Sequence, residues 1–490
     1  MKALKAPEHW TSFLVLFELK ESNIKTYNRL FLITILILFA ASCQEKEDPI
    51  ENDRRNSTNG KINTWIQNLM DQGYYWLEDM NNPIAIDSDP EEYFEALLFR
   101  PTDRYSEIYP NYQEIANSLQ GIRREAGYEY LLARESSTNE NVLAFVAYIK
   151  AGSPAEDAGL RRGDIITQIN GISLNLSNFQ NLLRSTRDNH SLNFLRFNES
   201  EDSYEPQEEI NLQTVQLSEN PNFLDTLFTI DNHKIGYVVY HFFASGISGQ
   251  ADRYDRQMDE IFARFKSEGI NNLILDFRYN GGGSLNSTLN LASLIAPNVS
   301  TDDVFLEQKY NSFLTQFEEF QDDKLEFLSK NENLGPILNG NRVYILTSRR
   351  TASASEMIIN GLKPYMDVKL IGSTTEGKNV GSALLQEEDN PDNDYGMMPI
   401  ITMLFNSNGQ SDFINGFDPD IEGIELTQRF LAPLGDINEY LLSLAIQDIT
   451  GTASASERRS RIDRVPLGDS FEKKIHSGKT IHEGFKLPVK

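Results

Sequence analysis

The chain has little cysteine, few histidines and a shortage of basic residues, and each shortage excludes a kind of protein. One cysteine among 490 residues means that no disulfide can form within the chain, even in an oxidising compartment. The six histidines show no spacing typical of a metal site. Lysine and arginine number 45 against 72 acidic residues, a formal net charge of −27, which argues against nucleic acid and against polybasic membrane contact. We therefore expect a protein without a metal, a cofactor or a nucleic-acid partner.

The apolar run near the N-terminus is short. It covers twelve residues, 30–41, too few to span a bilayer, with Lys25 and Arg29 before it and Ser42-Cys43 after it. This order is typical of a signal peptide and resembles a bacterial lipoprotein signal, in which Cys43 is lipidated and becomes the mature N-terminus. A plain secretory signal with an incidental cysteine is the alternative. We expect residues 1–42 to be the signal peptide and Cys43 to anchor the protein in the bacterial cell envelope, on the periplasmic or surface face of the outer membrane.

Composition and periodicity divide the rest of the chain into five segments. Hydrophobic residues make up 40% of the chain and charged residues 24%, as in a globular protein, and the length suffices for two or three domains. The pattern is polar first, then helical, then rich in strands, then alternating between strands and helices, and polar again at the end. The predicted segments are a flexible tether (43–60), a helical domain (61–118), a β domain (119–217), an α/β domain (218–450) and a disordered tail (451–490). The fold class is therefore multidomain α+β.

A glycine loop follows a buried strand in the α/β domain. Residues 272–277 form the strand, D-F-R-Y-N-G-G-G covers 276–283, and an apolar helix is predicted over 285–295. Strand, glycine loop and helix together can present backbone N–H groups at a site. The spacing fits neither a P-loop nor a dinucleotide fingerprint. An ordinary tight turn is the alternative.

A second stretch in the same domain places a serine at the start of a helix. A short strand at 343–346 precedes Ser353, which forms the capping-box pattern S-x-x-E with Glu356. A helix N-terminus favours negative charge, which suits a nucleophile whose reaction creates an oxyanion. A further strand at 368–371 is followed by Gly-Lys, ending at Lys378. An ordinary capped helix is the alternative reading of this stretch alone.

The β domain contains A-G-S-P-A-E-D-A-G-L-R-R-G-D-I-I-T-Q-I-N-G-I-S-L at 151–174. This stretch resembles a PDZ domain of the bacterial protease type. The resemblance implies a groove that binds an extended peptide by strand addition, with the peptide carboxylate held by backbone amides. The residues matching the carboxylate loop are Gly127, Tyr128 and Tyr130, although Glu129 among them suits an anion poorly. A degenerate PDZ fold that only docks or gates is the alternative.

Three motifs combine with the PDZ-like domain: D-F-R-Y-N-G-G-G at 276–283, T-A-S-A-S-E at 351–356 and G-K at 377–378. Together they resemble the carboxyl-terminal processing, or tail-specific, serine peptidases, here in a lipoprotein form. That family pairs a serine in S-A-S-E with a lysine 25 residues later, which is the interval from Ser353 to Lys378. The resemblance implies an α/β catalytic domain of the ClpP/crotonase type.

The resemblance also implies roles for single residues. Ser353 would be the nucleophile and Lys378 its general base, which requires a neutral amine and so a pKa well below the usual value of about 10.4. The oxyanion would be held by the N–H of Ala354 and by that of one of two glycines, Gly282 or Gly283. Many members have a glutamine four residues after the lysine. Here that position is Ser382, whose hydroxyl could still orient Lys378.

T-A-S-A-S-E occurs a second time, at 452–457, and Ser454 is also followed 25 residues later by a Gly-Lys lysine, Lys479. A helix-like run precedes this copy, and neither a buried strand nor a glycine loop accompanies it. We therefore assign the second copy to coincidence.

The sequence thus predicts a serine endopeptidase that cleaves proteins or peptides near unfolded C-termini through a Ser-Lys dyad. A catalytically silent member of the same fold that binds peptides or other ligands is the alternative. An envelope scaffold protein is a third possibility and would need no dyad.

Overall fold

The computed structural model describes residues 49–452, 462–471, 479–482 and 485–488. The predicted signal peptide, Cys43 and Ser454 lie outside these ranges. The chain divides into two compact units, Met1–Ser57 and Thr58–Lys490. Within the described residues, no helix combines the length and the apolar character needed to cross a membrane.

The predicted tether is helical where the structure describes it. Helix α1, Pro49–Asn56, belongs to the first unit, and helix α2, Thr58–Gly73, begins the second unit before the predicted end of the tether at residue 60. The polar composition of this stretch predicts irregular backbone, and the structure differs. Composition alone is a poor guide here, because several of its residues are compatible with a helix.

The N-terminal domain of the second unit is mainly helical, as predicted. It contains α2, α3 (Pro90–Leu97), strand β1 (Glu107–Tyr109) and α4 (Tyr112–Leu119). Helix α3 begins with Pro90 in its first turn, and the Asp89 carboxylate caps it by accepting hydrogen bonds from two backbone N–H groups. Its core includes Trp65, Ile66, Tyr93 and Phe94 together with Met397 from a later strand. Strand β1 pairs antiparallel with that strand, so this domain is joined to the α/β domain.

The PDZ-like domain is an antiparallel sheet with two short helices. Its elements are β2 (Ile122–Glu125), β3 (Tyr128–Arg134), β4 (Leu143–Ile149), α5 (Pro154–Asp157), β5 (Ile165–Ile169), β6 (Ile172–Ser173), α6 (Phe179–Ser185), β7 (His190–Asn198), β8 (Ser203–Pro206), β9 (Ile210–Leu212) and β10 (Val215–Ser218). Strands β3, β4, β5, β7 and β8 are neighbours in that order. Alternate residues of β3 and β4, such as Leu132 and Val146, point into the core of the domain.

The α/β domain alternates strands and helices as its sequence pattern predicts. Its elements are β11 (Asn222–Ile230), β12 (His233–Tyr240), α7 (Arg253–Glu268), β13 (Asn272–Asp276), β14 (Gly282–Ser284), α8 (Leu285–Ile295), β15 (Val304–Lys309), β16 (Asp323–Glu326), β17 (Arg342–Thr347), α9 (Ala354–Leu362), β18 (Asp367–Gly372), β19 (Val380–Ser382), β20 (Gly396–Met398), β21 (Ile400–Asn406), β22 (Ile421–Glu422) and α10 (Tyr440–Thr450).

The strands of this domain form two six-stranded sheets. The first has the order β11-β12-β13-β17-β18-β22 and is parallel from β12 onward. Helices α7, α8 and α9 cover one face of it, where Phe262 and Ile358 pack with Leu275. Helix α10 covers the other face, where Leu442 packs with Ile274. Coverage on both faces explains why the central strands read as continuous apolar runs.

The predicted disordered tail is wrong for the residues that the structure describes. Strand β23, Val465–Asp469, pairs antiparallel with β3 at the edge of the PDZ sheet. Strand β24, Lys479–Ile481, lies in the second sheet of the α/β domain, whose order is β14-β24-β19-β21-β15-β16. The tail has no apolar periodicity, but Phe471 and Ile481 are buried. Its strands form because edges elsewhere in the fold supply backbone partners.

Candidate active site

Ser353 lies between the end of β17 and the start of α9, as the sequence predicts. Its side chain is buried, and its backbone has a positive φ of 60°. A positive φ is strained for a residue with a side chain, and such strain persists only where the surroundings hold it. The residues on either side are held by Asn280, whose carbonyl accepts hydrogen bonds from Ala352 N (3.2 Å) and Ser355 Oγ (3.1 Å). The serine is therefore fixed against the glycine loop.

Glu356 connects the Ser353 segment to the Lys378 segment. Its Oε2 accepts hydrogen bonds from Ser353 N and Lys378 N, each 2.8 Å long. Its Oε1 accepts hydrogen bonds from Gly377 N (2.7 Å) and Thr375 Oγ1 (2.6 Å). Burial raises the pKa of Glu356 to about 7, although all four donors favour the ionised carboxylate and oppose that rise. The capping box pattern identified this residue, but not its bonds to the lysine segment.

Lys378 is buried, and its Nζ lies 4.8 Å from the ring centroid of Tyr105. Tyr105 belongs to the N-terminal domain. Its hydroxyl donates to Gly377 O (3.5 Å), and the neighbouring Arg104 donates to the same carbonyl (3.2 Å). The N-terminal domain thus forms one wall of the site. No sequence pattern predicts this contact, because Tyr105 lies far from Lys378 in sequence and in a segment without periodicity.

The glycine loop has the conformation that only glycine adopts easily. Gly282 has a φ of 105° and Gly283 a φ of 138°. A Cβ on Gly283 would lie 2.0 Å from the Phe243 carbonyl oxygen, so the close approach also requires glycine. Gly282 N donates to Asn280 Oδ1 (2.9 Å), and Asn280 Nδ2 donates to Tyr240 O (2.8 Å). Asn280 therefore shapes the loop and attaches it to both β12 and the Ser353 segment.

A buried network of charged side chains around Arg278 stabilises the glycine loop. The Arg278 guanidinium donates from Nε to Asp276 Oδ1 (2.9 Å) and from Nη2 to Glu439 Oε2 (2.8 Å). Tyr237 donates to the other Asp276 oxygen (2.7 Å). These carboxylates hold the pKa of Arg278 well above its ordinary value, despite burial. Glu439 also accepts from Leu442 N at the start of α10 (3.0 Å), so the network connects the loop to β12, β13 and α10.

Ser382 is buried in β19, directly beside the site. Its backbone carbonyl accepts a hydrogen bond from His482 N (2.9 Å). Its Oγ makes no hydrogen bond to any residue that the structure describes. The role of Ser382 in orienting Lys378 stays a prediction.

The predicted carboxylate loop of the PDZ domain contacts the chain's own C-terminal segment. Tyr130 N donates to Ser470 Oγ (3.0 Å), and Tyr130 O accepts from Ser470 N (3.1 Å). Tyr128 is buried, with its hydroxyl 3.0 Å from His190 Nε2, and Gly127 packs closely against Ser153. The role of these loop residues in binding other peptides stays a prediction.

Glu129, in the same loop, belongs to a buried cluster of charges. Lys150 Nζ lies 3.1 Å from a Glu129 oxygen and 2.8 Å from a Glu219 oxygen, and it also contacts Glu125. The three carboxylates are close enough to share one cation. In this structure the Lys150 ammonium supplies the positive charge among them.

Three family models match the chain. The model for peptidase family S41 matches residues 234–423, that for the PDZ domain residues 145–196, and that for the peptidase S41 N-terminal domain residues 61–107. Among solved structures, a "Putative S41 protease from Bacteroides fragilis" is 26% identical, with a TM-score of 0.67, over 80% of this chain and 98% of that one.

Curated relatives give the same result at lower coverage. A "Probable CtpA-like serine protease" from Staphylococcus aureus is 26% identical over 233 residues, and its counterpart from Staphylococcus epidermidis is 25% identical over 241. These alignments cover 47% and 48% of this chain but only 40% and 42% of the relatives' length. The family models and the solved structure confirm the predicted family and domain architecture: the chain belongs to peptidase family S41, with an S41 N-terminal domain and a PDZ domain.

Proposed function

We propose that the chain is a serine endopeptidase in which Ser353 is the nucleophile and Lys378 the general base. The observation that carries this proposal is the Glu356 carboxylate, which bonds the backbones of both residues through one oxygen. Two segments 25 residues apart in sequence are thereby held within two hydrogen-bond lengths of each other. Positioning of this kind is what a serine and its base require.

In the proposed reaction, Ser353 Oγ attacks the carbonyl carbon of the scissile peptide bond and its proton passes to Lys378 Nζ. The ammonium then protonates the leaving amine, and water hydrolyses the acyl-enzyme by the same route. Burial favours the neutral amine that the first step needs, whereas the face of the Tyr105 ring favours the ammonium that the second step needs.

Two backbone N–H groups are proposed to stabilise the oxyanion. Ala354 N–H opens α9, where the helix dipole also favours negative charge. Gly283 is the better of the two glycine candidates, because Gly282 N–H already donates to Asn280. The substrates proposed are proteins or peptides, cleaved near unfolded C-termini.

One observation supports a second candidate, a catalytically silent peptide-binding protein. Ser382 stands where many family members have a glutamine, and its Oγ makes no hydrogen bond to any described residue. Cleavage assays separate the two candidates, because a silent member would bind peptides without hydrolysing them.

The test is digestion of an unfolded protein such as casein by wild type and three variants. Ser353→Ala and Lys378→Ala should each lower kcat/KM by about 10³-fold or more. Ser454→Ala is the matched control, since it alters the same motif in the second copy, and should cleave like wild type. Activity that survives in Ser353→Ala would contradict the proposal, and loss in Ser454→Ala would assign the nucleophile to the second copy.

We also propose that Cys43 carries a lipid that anchors the protein in the cell envelope. The sequence order of basic residues, apolar run and cysteine supports this proposal. Metabolic labelling with a radioactive fatty acid should mark the wild-type protein and leave Cys43→Ala unlabelled. Label on Cys43→Ala would contradict it.

A further inference from the structure

Strand β24 lies between β14 and β19 in the second sheet and pairs with both. It pairs parallel with β14, opposing Gly282 to Lys479 and Ser284 to Ile481, and it pairs parallel with β19 through Ser382 and Ile481. His482 N continues the contact by donating to Ser382 O (2.9 Å). The C-terminal segment 479–482 is thus what joins β14 to the rest of this sheet.

The two strands on either side of β24 contain or adjoin proposed catalytic groups. Strand β14 contains Gly283, and β19 begins two residues after Lys378. The edge of β14 opposite β24 contacts Phe243. Phe243 N donates to Gly282 O and Ser284 N donates to Phe243 O, and each N–O distance is 2.9 Å. Because N–H groups alternate between the two edges of a strand, Gly283 N–H is directed to the edge where β24 lies.

Side-chain contacts of Ile481 also hold the segment in this position. Ile481 is buried against Ile115 of the N-terminal domain and Met398 of β20. Ile481, His482 and Phe485 line one side of a cavity of about 410 Å³. Gly283 and Ser284 line the same cavity, so an apolar side chain and a backbone strand are accommodated next to the glycine loop.

We propose that residues 479–482 occupy the position of an extended peptide substrate and thereby inhibit the peptidase in cis. This inference rests on the proposed function. A substrate would add as a strand to β14 and β19 and place an apolar residue where Ile481 lies. The segment belongs to the same chain, so its effective concentration at the cleft is on the order of millimolar, and a substrate at lower concentration competes poorly.

Two substitutions in the full-length chain should displace the segment. Ile481→Asp would bury a carboxylate among apolar side chains, which is unfavourable. His482→Pro removes the N–H that donates to Ser382. Lys486→Asp is the matched control, because Lys486 is exposed four residues beyond the segment and the change introduces the same side chain as the first variant. Circular dichroism and thermal unfolding would establish that each variant is folded.

Two measurements test the proposal. With casein, kcat/KM should rise on the order of tenfold in Ile481→Asp and His482→Pro and stay at the wild-type value in Lys486→Asp. Each chain would also be combined with Ser353→Ala and titrated with a fluorescein-labelled synthetic peptide of residues 476–488. By fluorescence anisotropy, the peptide should bind the displaced chains and not the chain with the wild-type segment.

The outcomes separate this inference from the proposed function. Folded Ile481→Asp and His482→Pro chains with wild-type activity would overturn it, as would equal peptide binding by all chains. Removal of residues 479–490 from purified wild type, seen by mass spectrometry, would overturn inhibition and make the segment a substrate. Peptide binding by the displaced chains alone, without cleavage by any chain, would support occupancy of the strand position and contradict the peptidase function.

Discussion

The backbone N–H groups of Ser353 and Lys378 donate to the same carboxylate oxygen, Oε2 of Glu356, and each N–O distance is 2.8 Å. The Glu356 side chain is buried and lies in the first turn of α9. The position of the proposed base relative to the proposed nucleophile therefore depends on one side chain that takes no part in proton transfer.

Glu356→Gln should impair activity more than binding. The amide would present an NH₂ group to donors that now meet a carboxylate, so at least one of the four hydrogen bonds would be lost or turned repulsive. A displacement of the base by about 1 Å costs on the order of 10²-fold in rate, and we expect a loss of that size in kcat with little change in KM. Glu422→Gln, at an exposed position of β22, is the control. An unchanged kcat in folded Glu356→Gln would show that the bridge is dispensable.

Glu356 should also give the protein a pH-dependent stability. Its pKa is about 7 in the folded protein against an ordinary value of 4.5, so the folded state binds the proton more tightly than the unfolded state. Stability from this group is then fully present below pH 4.5 and lost as the pH rises to about 7, by at most about 3 kcal/mol. Urea unfolding of wild type and Glu356→Gln from pH 4 to 8 would measure it. The wild-type minus variant difference in unfolding free energy should fall across this window, and a constant difference would contradict the prediction.

The features that the sequence predicts best are local ones. The strand, serine and helix around Ser353 follow from apolar runs and one capping pattern, and the predicted strand over 272–277 differs from β13 by one residue. The glycine loop is equally local. Its glycines are required by positive φ and by the approach of Phe243, and both constraints leave a direct mark on the sequence.

The features that the sequence does not predict depend on contacts between distant segments. Tyr105 meets Lys378 across 273 positions, and neither residue has neighbours that indicate the other. Strands β23 and β24 read as polar tail, because their partners are the backbone edges of β3, β14 and β19 rather than a periodic apolar face of their own. Edge pairing depends on the completed fold, which local periodicity does not encode.

Tyr105→Leu should shift the pH dependence of the proposed peptidase. The π face of the ring favours the Lys378 ammonium, by about 0.5–2 kcal/mol in similar arrangements. Without it the neutral amine is favoured, so the acid limb of the kcat/KM profile should move to lower pH by about 0.4–1.5 units. Tyr105→Phe retains the ring and loses only the hydroxyl, so its profile should match wild type. Equal shifts in both variants would assign the effect to the hydroxyl.

Gly283→Ala should reduce activity strongly. A Cβ there would lie 2.0 Å from Phe243 O, and the residue has a φ of 138°, so β14 must move. Because Gly283 N–H is a proposed oxyanion donor, kcat should fall by about 10²–10³-fold. Gly409→Ala is the control, since Gly409 also has a positive φ, of 71°, but its Cβ would meet nothing within 4 Å. A comparable loss of kcat in Gly409→Ala would indicate a general effect of strain instead.

Arg278→Met should destabilise the fold because it leaves the Asp276 carboxylate buried without its cation and leaves Glu439 with Arg162 alone, 3.5 Å away. Asp276 and Glu439 are each 1% exposed, and both contact the guanidinium. Removing one partner of a buried ion pair typically costs about 3–5 kcal/mol in unfolding free energy. Adding Glu439→Gln removes one buried negative charge that Arg278 no longer balances and keeps an oxygen that can accept from Leu442 N, so the double variant should recover part of the loss. Urea unfolding of wild type, both single variants and the double variant completes the cycle. Additive losses would contradict direct coupling between Arg278 and Glu439.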